Sequence, residues 1–346
     1  MAGKRLEIRE EVALAPLTTF GVGGAAKFFA VAKSEADVTQ AVEWAAAHGV
    51  PLFVLGGGSN MLVRDEGFNG LALQMQIGGI EDLGNGLFAV GAGESWDGFV
   101  ERMVAAGYSG IECMAGIPGS VGGTPVQNVG AYGQEVSETI VSVRAYDRDA
   151  GMFVELRKDA CRFRYRQSRF NTEEPGRFIV SQVIFRLLMD GAPTLKYAEL
   201  KERVSPTASL AEVARTVREI RRGKGMLLVE GDPEIHTAGS FFKNPVVEAE
   251  MLAPVAAAAG VEVDKVPHWP AGVGKIKLPA AWLLEQAGFV KGWGTGPVGI
   301  SSRHTLALVN RGSATFGDVL RVKCEIDEKV WERFGIRLER EPVVMR

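Results

Sequence analysis

Residues 21–60 read GVGGAAKFFAVAKSEADVTQAVEWAAAHGVPLFVLGGGSN, and the order of events in this stretch decides the fold. It opens on GVGGAA (21–26), a formal match to the dinucleotide pattern GxGxxG/A. That fingerprint belongs between a strand and a helix, where it seats a pyrophosphate on the helix N-terminus. Here a polar loop precedes it and an apolar run follows, so we read a structural turn and reject a Rossmann site. AAKFFAVAK (25–33) is a strand. Ser34 then caps a helix, with Asp37 three residues on. Val38, Ala41, Val42 and Ala45 carry the helical period, and Gly49 followed by Pro51 stops it. PLFVL (51–55) is the next strand. It ends in GGGSN (56–60), which reads either as a nest of N–H donors for a pyrophosphate or as a plain turn.

The pattern continues outward. LALQM (71–75) and GLFAVGAGE (86–94) are β-rich, and SWDGFVERMVAAG (95–107) is a helix capped by Ser95 and closed by Gly107. TIVSVRAYDRDAGMFVELR (139–157) is a hairpin whose turn includes Asp149 and Gly151. RFIVSQVIFRLLM (177–189) is a strand pair or one long strand. SLAEVARTVREIRRGK (209–224) is an amphipathic helix with a basic C-terminal end. Beyond it, LPAAWLLEQAG (278–288) and TFGDVLRVKCEIDEKVWERFG (315–335) are helices, while TLALVN (305–310) and IRLEREPVVM (336–345) are strands. A domain boundary is expected near 200–206.

A chain of 346 residues exceeds one ordinary core, so two or three domains are expected. The net charge of −3 disfavours a general nucleic-acid surface, so any anionic ligand must meet local Lys and Arg. Cys113, Cys161 and Cys324 form no CxxC pair, which suggests inert thiols in a reducing compartment. His48, His236, His268 and His304 lack metal-ligand spacing. The N-terminus has no signal-peptide core, and the alanine-rich 252–263 is too short to span a bilayer. A cytoplasmic enzyme without membrane insertion is the expectation, and a monomer, since no segment reads as a self-pairing surface.

Glycine numbers 43, about an eighth of the chain, against a usual ~7%. The longest glycine-rich passage, IPGSVGGTPVQNVGAYG (117–133), also carries Ser120, Thr124, Gln127 and Asn128. Long ordered loops in compact domains are usually functional, and a mere crossover needs fewer hydrogen-bonding side chains. CRFRYRQSRF (161–170) interleaves arginines with aromatics. It reads evenly as an edge strand with a solvated basic face or as a strand placing one Arg in an active site. HTAGSFFKNP (236–245) puts a hydroxyl, a cation and two phenylalanines into one loop. LEREP (338–342) carries two glutamates, ordinarily surface charge.

Taken together, TFGVGG, VLGGGSN, GIPGSVGGTPVQNVGAYG, CRFRYRQS, AGSFFKNP and LEREP resemble, in order and spacing, the UDP-N-acetylenolpyruvoylglucosamine reductase family. The resemblance covers roughly 18–342. It implies an α+β fold: a two-subdomain FAD-binding module of the vanillyl-alcohol-oxidase type (1–70 and 71–205), then a third α/β substrate-binding domain (206–330). A C-terminal segment (331–346) returns a catalytic Glu. It implies NADPH-dependent reduction of UDP-N-acetylglucosamine enolpyruvate, a nucleotide sugar, to UDP-N-acetylmuramate in peptidoglycan synthesis.

FAD contacts carry over to Gly56, Gly57, Gly58, Ser59, Asn60, Pro118, Gly119, Ser120, Gly123, Thr124, Gly130, Ala131 and Arg221. Residues 54–64 contain no His or Cys, so the flavin is expected to be non-covalent. The catalytic set is Ser240 as proton donor, Arg166 as enolate stabiliser and Glu341. The glutamate either orients Ser240 or, protonated with a raised pKa, polarises the enolate. Substrate contacts carry over to Tyr165, Tyr197, Lys224, Asn244 and His304, the last equally readable as a surface histidine. An oxidase on the same scaffold should lack the Ser240, Arg166 and Glu341 trio. A non-enzymatic nucleotide-sugar binder should have lost the flavin loops.

Overall fold

The strand–helix–strand reading of 25–55 holds. Ala25–Ala32 is a strand, Glu35–Ala47 a helix and Leu52–Leu55 a strand. The Ser34 hydroxyl accepts from the Asp37 N–H, and Gly49 turns the chain out of the helix at φ +64°. Both strands run parallel to Phe68–Met75, which lies between them, and Arg9–Ala13 adds an antiparallel edge. The structure, a computed structural model, describes residues 5–345 and has an α+β composition.

The chain divides into two compact units. The first takes residues 5–13, 25–58 and 67–222. Beside the four-stranded sheet it holds a five-stranded antiparallel sheet ordered Met152–Arg157, Ile140–Asp147, Phe178–Arg186, Leu87–Gly91 and Ile80–Gly84. The expected hairpin is its outer pair, with Asp147 opposite Met152 and Gly151 at φ +68°. Helix Trp96–Ala105 sets Trp96 and Phe99 against Phe185, with ring centroids 6.0 and 5.2 Å away. Each such buried ring stabilises the core by roughly 1.5–3 kcal/mol. Helix Leu210–Gly223 buries Val213, Val217 and Ile220 in the same core.

The second unit takes residues 14–24, 59–66 and 223–345. Its core gathers Phe20, Leu62, Phe241, Phe242, Leu283, Leu308 and the long helix Phe316–Phe334. A three-stranded sheet is ordered Thr237–Ser240, Ala307–Asn310 and Val298–Ile300. A second is ordered Val246–Glu248, Lys275–Lys277 and Trp269–Pro270. Residues 21–24 of the GVGGAA stretch form an irregular segment with Gly21 and Gly23 at positive φ, and Ala25 and Ala26 already open the strand, so no helix follows it. A Cβ on Gly23 would sit 2.4 Å from the Val63 carbonyl oxygen, so this glycine serves close backbone packing.

Two element expectations fail. CRFRYRQSRF is not a strand. Arg164 and Gln167 exchange backbone hydrogen bonds at 2.9 and 3.1 Å, leaving Tyr165 and Arg166 as the two corner residues of a tight turn. One turn of π-helix, Arg169–Glu173, follows. The basic–aromatic alternation imitates a strand, but its charges are engaged by Glu173 and Glu174 through Arg162 and Arg169. The final strand shrinks to Val343–Met345, because Pro342 just before it has no N–H to donate to a ladder. Strands Arg9–Ala13 and Ile80–Gly84, largely exposed, lack the apolar alternation that would have revealed them.

Candidate active site

In the first unit, two glycine loops touch backbone to backbone. A Cβ on Gly56 would lie 2.6 Å from the Ser120 hydroxyl, and one on Gly57 would lie 2.7 Å from the Gly119 Cα. Gly58 sits at φ +65°. The second loop is held by its neighbours. Trp96 N–H donates to the Gly119 carbonyl at 3.0 Å, Val121 N–H to Glu94 at 2.9 Å and Gly122 N–H to Ala92 at 2.9 Å. Nothing lies within 4 Å of a Cβ placed on Gly123, so the loop is open there. Pro118 leads into this glycine run and is half-buried. Side chains expected as ligands are partly spent on the loop itself. The Thr124 hydroxyl donates to the Val121 carbonyl. Asn128, buried at φ +45°, donates to Glu135 and to the Arg164 carbonyl and accepts from Ser137.

The loop ends in a short hairpin, Gly130–Ala131 against Gln134–Glu135. Tyr132 and Gly133 at its corner both have positive φ, 48° and 88°, the requirement of a type I′ turn. Arg166 docks on this hairpin, with guanidinium N–H groups donating to the Gly130 carbonyl at 2.7 Å and, more weakly, to Asn128 at 3.5 Å. Its own backbone is left-handed at φ +54°. A non-glycine residue held there costs of order 1–3 kcal/mol and such residues cluster at functional sites. Its guanidinium also lies 5.2 Å from the ring of its neighbour Tyr165.

Arg221, buried at the end of helix Leu210–Gly223, donates to the Gly116 carbonyl at 3.0 Å and hydrogen-bonds Tyr132. Burial pulls its guanidinium below the usual arginine value, and burial likewise pushes the Tyr132 phenol up to about 12. Tyr197, exposed, packs edge-on against Tyr132 at 5.2 Å. Two of the three thiols, Cys113 and Cys161, are buried as the sequence suggested, while Cys324 is exposed. Burial raises Cys113, and it raises Cys161 to about 12.

In the second unit, the paired phenylalanines of HTAGSFFKNP find their purpose. Phe241 and Phe242 are each 1% exposed and pack edge-on at 5.2 Å within the core. They anchor a half-buried Ser240 on one side and Lys243 on the other. The C-terminal segment pairs with this anchor. Glu341 N–H donates to the Phe241 carbonyl at 2.8 Å, and Lys243 N–H to the Glu339 carbonyl at 2.9 Å, around an antiparallel bridge between Phe242 and Arg340. Glu341 is therefore held one residue from Ser240 across a backbone ladder and is half-buried. Glu339 is exposed and pairs with the Lys243 ammonium at 2.6 Å. Alternation along a regular strand would give the two glutamates one face, and here only Glu341 is shielded.

Ser59 and Asn60, the end of the GGGSN loop, belong to the same unit. The Asn60 carbonyl accepts from Val343 N–H at 2.9 Å and its amide reaches the Glu341 carbonyl at 3.4 Å, while the Ser59 carbonyl faces the Thr19 hydroxyl at 3.3 Å. Asn244 accepts from Ala280 N–H at 2.9 Å at the start of helix Ala280–Gln286. His304 accepts from Leu306 N–H on Nδ1 at 3.0 Å, which leaves the proton of the neutral ring on Nε2. Lys224 is half-buried at the head of the 225–236 loop. Among the described residues no group of three or more His, Cys, Asp or Glu is placed to hold a metal. Nor is any helix there long and apolar enough to cross a membrane.

Family models match twice along this chain. Residues 232–345 match the C-terminal domain of UDP-N-acetylenolpyruvoylglucosamine reductase, and residues 26–157 match an FAD binding domain. The reductase of Streptomyces coelicolor is 47% identical over 342 residues, covering 96% of this chain and 88% of that protein. This chain belongs to the UDP-N-acetylenolpyruvoylglucosamine reductase family. The reductase of Azoarcus is 41% identical over 98% of both chains. The crystal structure of the reductase from Thermus caldophilus superposes with a TM-score of 0.67 at 28% identity, covering 99% of each chain.

The FAD-binding domain of a UDP-N-acetylenolpyruvoylglucosamine reductase should offer backbone N–H groups rather than side chains to a pyrophosphate. The Gly56–Gly57 and Gly119–Ser120 contact fits this, since a side chain on Gly56 or Gly57 would push apart the two loops whose backbones meet there. The signals that sequence reading missed are geometric. They are the left-handed turn under Arg166 and the Tyr132–Arg221 contact.

Proposed function

We propose that this chain reduces the enolpyruvyl ether of UDP-N-acetylglucosamine enolpyruvate to UDP-N-acetylmuramate, a step of peptidoglycan precursor synthesis. NADPH is the reductant and FAD is held non-covalently. The observation that carries the reading is the ladder that sets Glu341 beside Phe241, next to Ser240. This pairing ties the segments of Ser240 and Glu341 to one buried anchor, which supports a shared role for them.

The roles follow from chemistry. When bound, FAD supplies hydride transfer from the nicotinamide to the methylene carbon of the enolpyruvyl group. Gly56, Gly57, Gly58, Ser59, Asn60, Pro118, Gly119, Ser120, Gly123, Thr124, Gly130, Ala131 and Arg221 are proposed to hold it. Hydride addition leaves negative charge on the adjacent carbon and its carboxylate. Arg166 stabilises that enolate by directed N–H donation. The Ser240 hydroxyl gives its proton to the carbon, and Glu341 orients the hydroxyl or polarises the enolate. Lys224 meets the diphosphate as a point charge, and Tyr165, Tyr197, Asn244 and His304 complete the substrate contacts.

We assign the flavin module to 1–70 and 71–205, substrate binding to 206–330 and the glutamate to 331–346. A cytoplasmic monomer is the proposed working form.

Anaerobic mixing with NADPH should bleach the flavin absorbance near ~450 nm, and adding UDP-N-acetylglucosamine enolpyruvate should restore it. Bleaching without recovery would overturn the substrate assignment. Acid or heat should release intact flavin, because residues 54–64 carry no His or Cys to tether it. Flavin remaining on the denatured chain would contradict that.

A further inference from the structure

The segment 225–236, between Lys224 and the strand that carries Ser240, is held at Asp232 and Glu234 by the 301–303 turn, with Arg303 making the most contacts. Arg303 donates both terminal guanidinium nitrogens to the Asp232 carboxylate, each at 2.7 Å, and its Nε faces Glu234 at 3.3 Å. Glu234 also accepts from the Ser301 hydroxyl at 2.5 Å and from Ser302 N–H at 2.9 Å. Opposite them, Gly225 lies so close that a Cβ would stand 3.0 Å from Arg303 Nε and 3.3 Å from the Ser301 hydroxyl. One arginine therefore contacts the residue after Lys224, clasps the middle of the segment and immediately precedes His304.

We propose that Arg303 is a positioning residue for nucleotide-sugar binding. Its fork on Asp232, backed by Glu234, fixes where Lys224 and His304 present their charge and N–H to the diphosphate sugar. This rests on the proposed function of those two residues. The partner groups support the arrangement. Arg303 holds the Asp232 carboxyl below its usual range; at Glu234 burial is the largest single influence and raises the carboxyl, but hydrogen bonds from Ser301, Ser302 and Arg303 together outweigh it and lower it. A planar fork suits the task, because a lysine cannot make two parallel bonds to one carboxylate. Arg303 itself delivers no proton and touches no reacting atom in this scheme.

The test compares wild type with Arg303→Ala, Arg303→Lys and the near-isosteric Asp232→Asn, all purified with flavin. Steady-state kinetics with UDP-N-acetylglucosamine enolpyruvate should show KM raised roughly tenfold or more in Arg303→Ala and Asp232→Asn, with kcat within about threefold. Arg303→Lys should recover only part of the loss. The double variant Arg303→Ala/Asp232→Asn should be no worse than the poorer single, as expected for two halves of one interaction. Bleaching of flavin by NADPH should match wild type throughout. Unchanged KM in Asp232→Asn and Arg303→Ala overturns the clamp, as does a fall in kcat at unchanged KM. If wild type itself fails to turn over the enolpyruvyl substrate, the functional reading fails instead. UDP, titrated calorimetrically as the probe, should also bind more weakly to both variants, and equal binding would count against the clamp.

Discussion

The glycine cradle of the first unit and the Ser240–Glu341 ladder of the second achieve preorganisation by opposite means. At Gly56 and Gly57 the absence of side chains lets the backbone come against the facing Gly119–Ser120 loop. Around Ser240 the backbone is spent on pairing, at Glu341 to Phe241 and Lys243 to Glu339, and side chains are what it presents. Substitutions should accordingly fail in different ways. Adding atoms should damage the cradle, whereas removing them should damage the ladder.

The largest effect is expected at Ser240→Ala. Little volume is lost, and the pairing with Ala307 is backbone only, so fold and flavin content should stay as in wild type. NADPH should bleach the flavin at a similar rate, while re-oxidation by the enolpyruvyl substrate should slow by ~10²–10⁴-fold, the usual worth of a positioned general acid. Stopped-flow of the two halves decides it. Equal slowing of both would mean that Ser240 holds the site together and does not deliver a proton.

Gly57→Ala tests the cradle. Its Cβ would meet the Gly119 Cα and carbonyl carbon at 2.7 and 2.9 Å and the Ser120 backbone nitrogen at 3.1 Å, none of which can rotate away. The protein should purify largely colourless, with the ratio of 450 nm to 280 nm absorbance as the measure, and overpacking should cost roughly 1–3 kcal/mol. Retention of full flavin would show that the two loops separate freely.

Gly123→Ala sharpens the contrast, because a Cβ there meets nothing in the protein. The unfolding temperature of flavin-free protein should be unchanged while FAD affinity falls roughly tenfold, about 1.4 kcal/mol. Unaltered affinity by fluorescence titration would take Gly123 out of the cradle.

The smallest effect lies outside both regions, in the hairpin of the first unit. Hydrogen bonds from Arg177 hold the Asp147 carboxyl down to about 2. A depressed carboxyl contributes stability fully above its unfolded pKa, about 3.9, and loses it as pH falls through the folded value. Asp147→Asn should lower the unfolding temperature by roughly 2–4 °C at pH 7, with that gap closing between pH 4 and 2. A gap that persisted at pH 2 would mean the loss is steric.

Much of this was legible beforehand because caps and periods are local. Ser34 and Ser95 each cap the helix that their sequence context announced, and Thr315 opens the long helix read over 315–335. What could not be read depends on distant partners or on backbone sign. The 161–170 run has strand-like alternation, yet it turns, because Arg164 bonds Gln167 and Arg166 takes positive φ. The LEREP glutamates look equivalent until Arg340 bridges Phe242 and leaves Glu339 outside. The Arg303–Asp232 pair spans 71 residues, and no local pattern marks it.

The pairing of Val343–Met345 with Met61–Val63 also has a consequence in time. Asn60 reaches Glu341, which lies 281 residues later in the chain. At roughly 5–20 residues per second, synthesis separates those two ends by about 15–55 s. For most of that interval the apolar Met61, Leu62 and Val63 are without the strand that will pair with them. A nascent chain of this protein is thus committed to a wait, and the glutamate assigned to the reaction arrives with the same segment that ends it.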